Sequence, residues 1–106
     1  MRNVSIASRF KKDFKLVQKS PRFKKWSGKF EAYVEMLRKG ESLPPESRDK
    51  PMASNSEYRG CRDFHAAPDI VVLYRMTDET VELLRIGQHN NLGLTEDLVY
   101  VNAISF

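Results

Sequence analysis

The stretch that decides the fold is residues 58–86, YRGCRDFHAAPDIVVLYRMTDETVELLRI, in which three runs of strand-forming residues are separated by short links. Runs of this kind between turn-forming residues are typical of β-strands. Links of three or four residues are too short for a crossover connection, so the strands are expected to pair antiparallel. The predicted strands are Tyr58–His65, Asp69–Met76 and Val81–Ile86.

A short strand and a first helix are predicted upstream. Residues 3–7 alternate apolar and polar side chains, which is typical of a strand. Ser8 is placed to cap a helix that runs to about Lys19. Ser20–Pro21 interrupts this helix, because proline disfavours helical geometry at the residue before it. The apolar face of the helix is Phe10, Phe14 and Val17.

A second helix is predicted from about Arg22 to Lys39, and Gly40 ends it. Its apolar stripe is Trp26, Phe30, Tyr33, Val34 and Leu37. Two adjacent helices with apolar stripes indicate a helical hairpin packed on the sheet. The predicted fold class is therefore α+β, with an N-terminal strand and a two-helix hairpin on a mainly antiparallel sheet.

The length of 106 residues is that of one domain, and a hydrophobic content of 41% is sufficient for a core. Residues 1–106 are thus expected to form a single domain. Within it, residues 41–57 are predicted to be an irregular connection. Residues 95–106 are expected to be a C-terminal extension or to form an edge strand at Leu98–Val101.

The single cysteine, Cys61, excludes an internal disulfide and a multi-cysteine zinc site, and it is consistent with a reducing cytoplasm. The sequence contains neither a signal-like apolar run at its start nor an apolar stretch long enough to span a membrane. We therefore expect a soluble, cytoplasmic protein with no membrane partner.

Charge is distributed unevenly along the chain. Residues 1–40 carry 12 Lys/Arg against 3 Asp/Glu, whereas residues 41–106 carry 6 against 11. This asymmetry is consistent with a basic face that binds an anion, nucleic acid above all. The alternative is that these lysines only solvate the outer faces of amphipathic helices.

The two histidines of the chain are predicted to lie close together. With Ala66–Pro68 as a loop, His65 and Asp69 would face each other across a strand pair. A turn centred on Asp78–Glu79 would place Asp69 opposite Gln88, and His89 beside Pro68. His65, Asp69 and His89 are therefore expected to converge at one end of the sheet.

Such a group is suited to acid–base catalysis, because histidine titrates near neutral pH. Two histidines and a carboxylate could also form a facial metal triad, although no second shell is evident; we expect neither a metal nor another cofactor. A third alternative is that the three residues lie together without a function.

Arginines on the predicted strands are candidates for binding RNA phosphate, since the guanidinium group matches phosphate geometry. Alternation places Arg59 on the face of Asp63 and His65, and Arg62 on the other face. Structural salt bridges are the alternative role. The candidate phosphate-binding arginines are Arg59, Arg62, Arg75 and Arg85.

Several motifs together resemble the YafQ branch of the RelE-type toxins, over about residues 8–92. Singly they are ordinary, but their order and spacing are specific. They are LPP at residues 43–45, RDKPM at 48–52, YRGCRDFH at 58–65, PD at 68–69, LYR at 73–75 and LRIGQH at 84–89.

The resemblance implies a type II toxin that cleaves mRNA on the ribosome and is neutralised by an antitoxin, expected to be of the ribbon-helix-helix type. It implies that operator DNA is bound only through that antitoxin. The positions matching His65, Asp69 and His89 belong to the catalytic site of the family. The 2′-oxygen would attack the neighbouring phosphate. The charge of the helices, and not the resemblance, makes Lys11, Lys12 and Lys15 candidates for contacting RNA phosphates.

Two departures from the family pattern affect the expected activity. Lys50, a further candidate catalytic residue, occupies a position where the family usually has histidine; a lysine can neutralise phosphate but is a poor proton acceptor at neutral pH. Leu92–Leu94, with Gly93 at its centre, replaces an aromatic residue that would stack on a base. The alternatives are therefore an inactive member that still binds RNA or its partner, or, less consistent with the sequence, a DNA-binding regulator.

Overall fold

The computed structural model describes residues 1–51 and 60–88, and these form strands and helices in the expected order. The elements are β1 (Asn3–Ile6), α1 (Ser8–Val17), α2 (Phe23–Arg38), a 3₁₀ turn (Pro45–Ser47), β2 (Lys50–Pro51), β3 (Arg62–Ala67), β4 (Ile70–Met76) and β5 (Thr80–Gln88).

The strands form one sheet in the order β1-β5-β4-β3-β2. The β2–β3, β3–β4 and β4–β5 pairs are antiparallel, whereas β1 lies parallel to β5, with Asn3 opposite Thr80 and Ile6 opposite Leu83. Strands β1 and β5 can lie parallel because both helices and strands β2–β4 separate them in the chain, which is more than enough for the long connection that parallel strands need. The α+β class and the mainly antiparallel sheet are thus confirmed.

Helix α1 follows directly from β1, and the predicted cap is wrong. Ala7 occupies the N-cap position and Ser8 is the first helical residue. The amide of Ala7 donates to the Leu83 carbonyl (2.9 Å), so the chain is still paired with β5 when the helix begins. The helix ends at Val17 rather than Lys19, because the amides of Lys19 and Ser20 bond three residues back, as in a 3₁₀ turn.

Helix α2 begins at Phe23, after the Ser20–Pro21 interruption, and ends at Arg38. Gly40 adopts a φ of +79°, the left-handed conformation in which glycine commonly ends a helix. This confirms the predicted end of the helix to within one residue.

The core lies between the two helices and one face of the sheet, and Phe64 is at its centre. The ring of Phe64 lies 6.5 Å from that of Phe30, 5.6 Å from that of Tyr33 and 5.6 Å from that of Tyr74. Every residue of the predicted apolar stripes is buried or partly buried in this core. The sheet contributes Phe64, Ala66, Ile70, Val72, Tyr74, Val81, Leu83 and Ile86.

The position of the first turn and two bulges change the predicted strand registers. In the β3–β4 hairpin, Pro68–Asp69 forms the turn and Ala66 is an extra residue, so His65 lies opposite Val71 rather than Asp69. In the β4–β5 hairpin, the register shifts at Leu84, and Gln88 therefore lies opposite Ile70 rather than Asp69. A bulge adds one residue to one strand only, and turn length alone does not reveal it.

The connection between α2 and β3 is more ordered than predicted in its first part. Residues 41–51 contain the 3₁₀ turn and the short strand β2, in which Lys50 lies opposite Asp63. Tyr58, the predicted first residue of β3, lies outside the described residues, as does the predicted Leu98–Val101 strand. No helix among the described residues is long and apolar enough to span a membrane.

A bidentate ion pair links α1 to β5. Arg85 donates through Nε and Nη2 to the two carboxylate oxygens of Asp13 (2.6 and 2.9 Å). The backbone amide of Ile86 donates to the same carboxylate (3.1 Å). The Asp13 carboxylate therefore accepts hydrogen bonds both from the Arg85 guanidinium and from a backbone amide of β5. Both charged side chains are largely buried.

Replacing Asp13→Ala is expected to lower the free energy of unfolding by about 3 kcal/mol, because it leaves a mostly buried guanidinium without its bidentate partner. Urea unfolding measures the change. The matched control is Glu35→Ala, which breaks the more solvent-accessible Glu35–Arg38 pair (3.1 Å) and should cost less than about 1 kcal/mol. Equal effects of the two substitutions would contradict this assignment.

Candidate active site

Asp63 and His65 lie on the face of the sheet that points away from the helices. Phe64 lies between them in β3 and faces the core, and successive strand side chains point to opposite faces. Both polar residues are buried, with exposed fractions of 2% for Asp63 and 8% for His65. Buried polar side chains of this kind require partners, so this part of the sheet is a structured polar site.

Lys50 is held against this face by its neighbour in the ladder. It lies opposite Asp63 in the β2–β3 pair, and its Nζ atom is 3.0 Å from Asp63 Oδ2. The lysine side chain is half-exposed, whereas that of Asp63 is almost fully buried. The ammonium group of Lys50 is thus open to solvent and is held by the Asp63 carboxylate. Asp63 lies two residues before His65 in β3.

The segment that carries Lys50 is anchored through Asp49. The Asp49 carboxylate accepts hydrogen bonds from the Tyr74 hydroxyl and from Arg62 Nε (3.2 Å). Burial, together with the Asp49 carboxylate, raises the pKa of the Tyr74 phenol. The hydrogen bond to Asp49 raises the pKa of Arg62, against the opposing effect of its partial burial. Asp49 thereby fixes the start of β2 to the sheet.

Asp69 lies in the β3–β4 turn and forms an ion pair with Arg22, at the start of α2 (3.3 Å). It does not face His65 across the ladder, as the predicted register required. The Arg22–Asp69 pair instead bridges the mouth of a cleft between the helical hairpin and the end of the sheet.

Three of the candidate phosphate-binding arginines have anionic partners within the protein. Arg62 pairs with Asp49 and Arg85 with Asp13, as described above. Arg75 lies 3.4 Å from Glu82 and 3.3 Å from the Cys61 sulfur. Burial raises the pKa of the Cys61 thiol, an effect that Arg75 partly opposes. The predicted alternative role, the structural salt bridge, is therefore present at each of these arginines.

The remaining predicted site residues divide into exposed lysines and residues outside the described part of the chain. Lys11, Lys12 and Lys15 are exposed on α1. His89 and Arg59 lie outside the described residues. Sequence reasoning missed Arg22 and the role of Asp63 as a buried anion. The position of Asp63 two residues before His65 indicated a shared face, but nothing local in the sequence paired Asp63 with Lys50 or Arg22 with Asp69.

The described part of this site is suited to binding an anionic oxygen. A fixed ammonium can neutralise a phosphate, and a nearby imidazole can transfer a proton near neutral pH. Within residues 1–51 and 60–88, no three His, Cys, Asp or Glu side chains are grouped so that they could hold a metal ion.

Comparison with known proteins identifies relatives of this chain. Residues 2–94 match the family described as the bacterial toxin of type II toxin–antitoxin system, YafQ. The mRNA interferase toxin YafQ of Escherichia coli strain B/BL21-DE3 is 31% identical over 88 residues, which span 83% of this chain and 91% of the relative.

Solved structures agree with this match. A chain of the E. coli DinJ–YafQ complex superposes with a TM-score of 0.73 at 30% identity, covering 87% of this chain and 98% of that one. The Staphylococcus aureus YoeB dimer structure, at 16% identity and a TM-score of 0.66, shares the fold; the match covers 83% of this chain and 97% of that one. The chain therefore belongs to the YafQ family of bacterial toxins of type II toxin–antitoxin systems.

Proposed function

We propose that this protein is an endoribonuclease that cleaves mRNA on the ribosome without a metal ion. The observation that carries the proposal is the ion pair of Lys50 with buried Asp63, which lies two residues from His65 on the same face of the sheet. Membership of the YafQ family supports it, as does the name of the E. coli relatives, mRNA interferase toxin.

In the proposed reaction, the ribose 2′-oxygen attacks the adjacent phosphorus and the 5′-oxygen of the next nucleotide leaves. A base takes the 2′-hydroxyl proton and an acid gives a proton to the leaving oxygen. The products are a 2′,3′-cyclic phosphate and a 5′-hydroxyl. His65 and His89 share these two proton transfers, and Asp69 orients or assists one of them.

Lys50 serves in this proposal as an electrostatic group rather than as a base. Its ammonium, fixed by Asp63, would stabilise the charge that builds up on the phosphate oxygens in the transition state. A group held in place before the reaction need not reorganise during it, which is the advantage of anchoring the lysine to a buried carboxylate.

The proposed partners follow from the family and from the surface charge. DinJ is bound in the E. coli complexes, and we propose that a ribbon-helix-helix antitoxin binds this chain and carries any contact with operator DNA. The exposed Lys11, Lys12 and Lys15 of α1 would contact mRNA or ribosomal RNA phosphates in the cytoplasm. Among the strand arginines, Arg75 and Arg62 are more exposed than Arg85 and are the better candidates for phosphate contacts.

A second candidate function is an RNA- or antitoxin-binding member with weak or absent catalysis. The observation that favours it is the ion pair of Lys50 with Asp63, because the carboxylate offsets part of the positive charge that would act on a phosphate. The two candidates differ in whether the histidines are needed for toxicity.

Replacing His65→Gln or His89→Gln is expected to reduce RNA cleavage at least about 100-fold, because each change removes one proton-transfer group. Cleavage of a translated mRNA and growth arrest on expression are the measurements. Asp78→Asn, an exposed substitution in the β4–β5 turn, is the control and should retain activity. Growth arrest that persists when both histidines are replaced would rule out their assignment as catalytic residues.

Replacing Lys50 together with its partner tests the electrostatic role without leaving a buried carboxylate unpaired. The double variant Lys50→Gln/Asp63→Asn is expected to fold and bind RNA but to cleave it about 100-fold more slowly, because the fixed cation is lost. Lys50→Arg, which keeps the charge, should retain more activity than Lys50→Gln. A double variant as active as the unaltered protein would show that Lys50 has no part in the reaction.

A further inference from the structure

A cleft of about 320 Å³ lies between the α1–α2 connection and the sheet end formed by the β3–β4 turn and β5. Its wall combines an apolar surface with charged groups at the mouth. This volume is at the lower end of the range of small-molecule sites and suits one nucleotide rather than a longer segment. The wall includes Trp26, Ile70, Ile86, Arg22, Asp69 and Arg85.

The two charged groups at the mouth are held together only weakly. The side chains of Arg22 and Asp69 are 60% and 41% exposed, and ion pairs this open contribute little to stability. The other carboxylate oxygen, Asp69 Oδ1, is enclosed and accepts no hydrogen bond within the described residues. Arg22 is therefore a cation whose present partner can be displaced at low cost.

A phosphodiester is the natural competitor for Arg22. A guanidinium binds phosphate oxygens with two parallel hydrogen bonds, a geometry that the single 3.3 Å contact with Asp69 lacks. The surrounding surface favours an anion as well, because Lys19, Lys24 and Lys25 are exposed on either side of Arg22 in the sequence.

The apolar part of the cleft suits a nucleobase. Trp26 is 4% exposed, so that only a small part of its ring faces the cleft, next to Ile70 and Ile86. A base has apolar faces and polar edges, which match an apolar wall bordered by charged side chains. Arg85 is held in this wall by two hydrogen bonds to Asp13.

We propose that this cleft binds one nucleotide of the RNA substrate, and that Arg22 exchanges Asp69 for the phosphate of that nucleotide. The inference rests on the proposed function, because it assumes that the ligand is the RNA that is cut. Its consequence is that Asp69 is released from its ion pair only when RNA is bound. Binding and the freeing of a proposed catalytic carboxylate are thus coupled.

The test uses a short 2′-O-methyl oligoribonucleotide, which cannot undergo attack by its 2′-oxygen and so reports binding alone. Trp26 is the only tryptophan in the chain, and its fluorescence reports occupancy of the cleft directly. Titration of the full-length protein is expected to change the Trp26 emission saturably. Arg22→Ala should weaken binding at least about tenfold through the loss of charged hydrogen bonds. The slope of log affinity against log salt concentration should fall by about 0.7.

The matched control is Lys39→Ala, which removes one positive charge at the exposed opposite end of α2 and should leave the affinity within about twofold. Asp69→Asn is expected to tighten binding, because it removes the competitor for Arg22, and this gain should vanish in the Arg22→Ala background. That dependence separates the exchange from a purely structural role of Arg22.

Equal affinities of the Arg22→Ala and Lys39→Ala proteins would overturn the proposal. So would binding without a change in Trp26 emission, or no binding of the oligonucleotide by the unaltered protein. Cleavage is measured separately from binding. If the protein cleaves RNA but its affinity for the oligonucleotide does not depend on Arg22, only the proposal for the cleft is refuted. If binding depends on Arg22 but RNA is not cleaved, only the proposed endoribonuclease activity is refuted.

Discussion

The burial of Phe64 against the helices is the constraint on which the rest of the structure depends. Its ring contacts Phe30, Tyr33 and Tyr74, and it has no exposed surface. Because strand side chains alternate between faces, this packing obliges Asp63 and His65 to point away from the core. A slip of one residue would put an imidazole among aromatic rings and a phenyl ring in the polar site, so the core also fixes the site.

Three aspartates then hold the elements around that strand in place. Asp13 links α1 to β5 through Arg85, Asp49 fixes the start of β2 through Tyr74 and Arg62, and Asp63 holds Lys50. Each of these carboxylates is paired with a basic side chain, and only the Asp13–Arg85 pair is largely buried on both sides. The lysines of α1 remain exposed, and they give the protein a basic surface that would attract an anion.

The sequence was informative where the pattern is local and failed where contacts are distant. Both helices and all three main strands were predicted, because their apolar periodicity is visible within each segment. The facing of His65 and Asp69 was wrong, chiefly because β3 continues to Ala67 and the turn is Pro68–Asp69, so that Asp69 lies in the turn and faces no strand residue. The bulge at Ala66 then sets His65 opposite Val71, and neither alternation nor turn length reveals it. Strand β2 and the pairing of Arg22 with Asp69 depend on residues far apart in the chain, so no local signal predicted them.

In the proposed mechanism, RNA is cut by attack of its own 2′-oxygen, with proton transfer by histidines and charge stabilisation by a lysine. The most direct test is end-group analysis by mass spectrometry of RNA cut by the purified protein in the presence of a chelator. The account predicts 2′,3′-cyclic phosphate and 5′-hydroxyl ends. Products that carry 5′-phosphate and 3′-hydroxyl ends, or cleavage that stops when metal is removed, would contradict it.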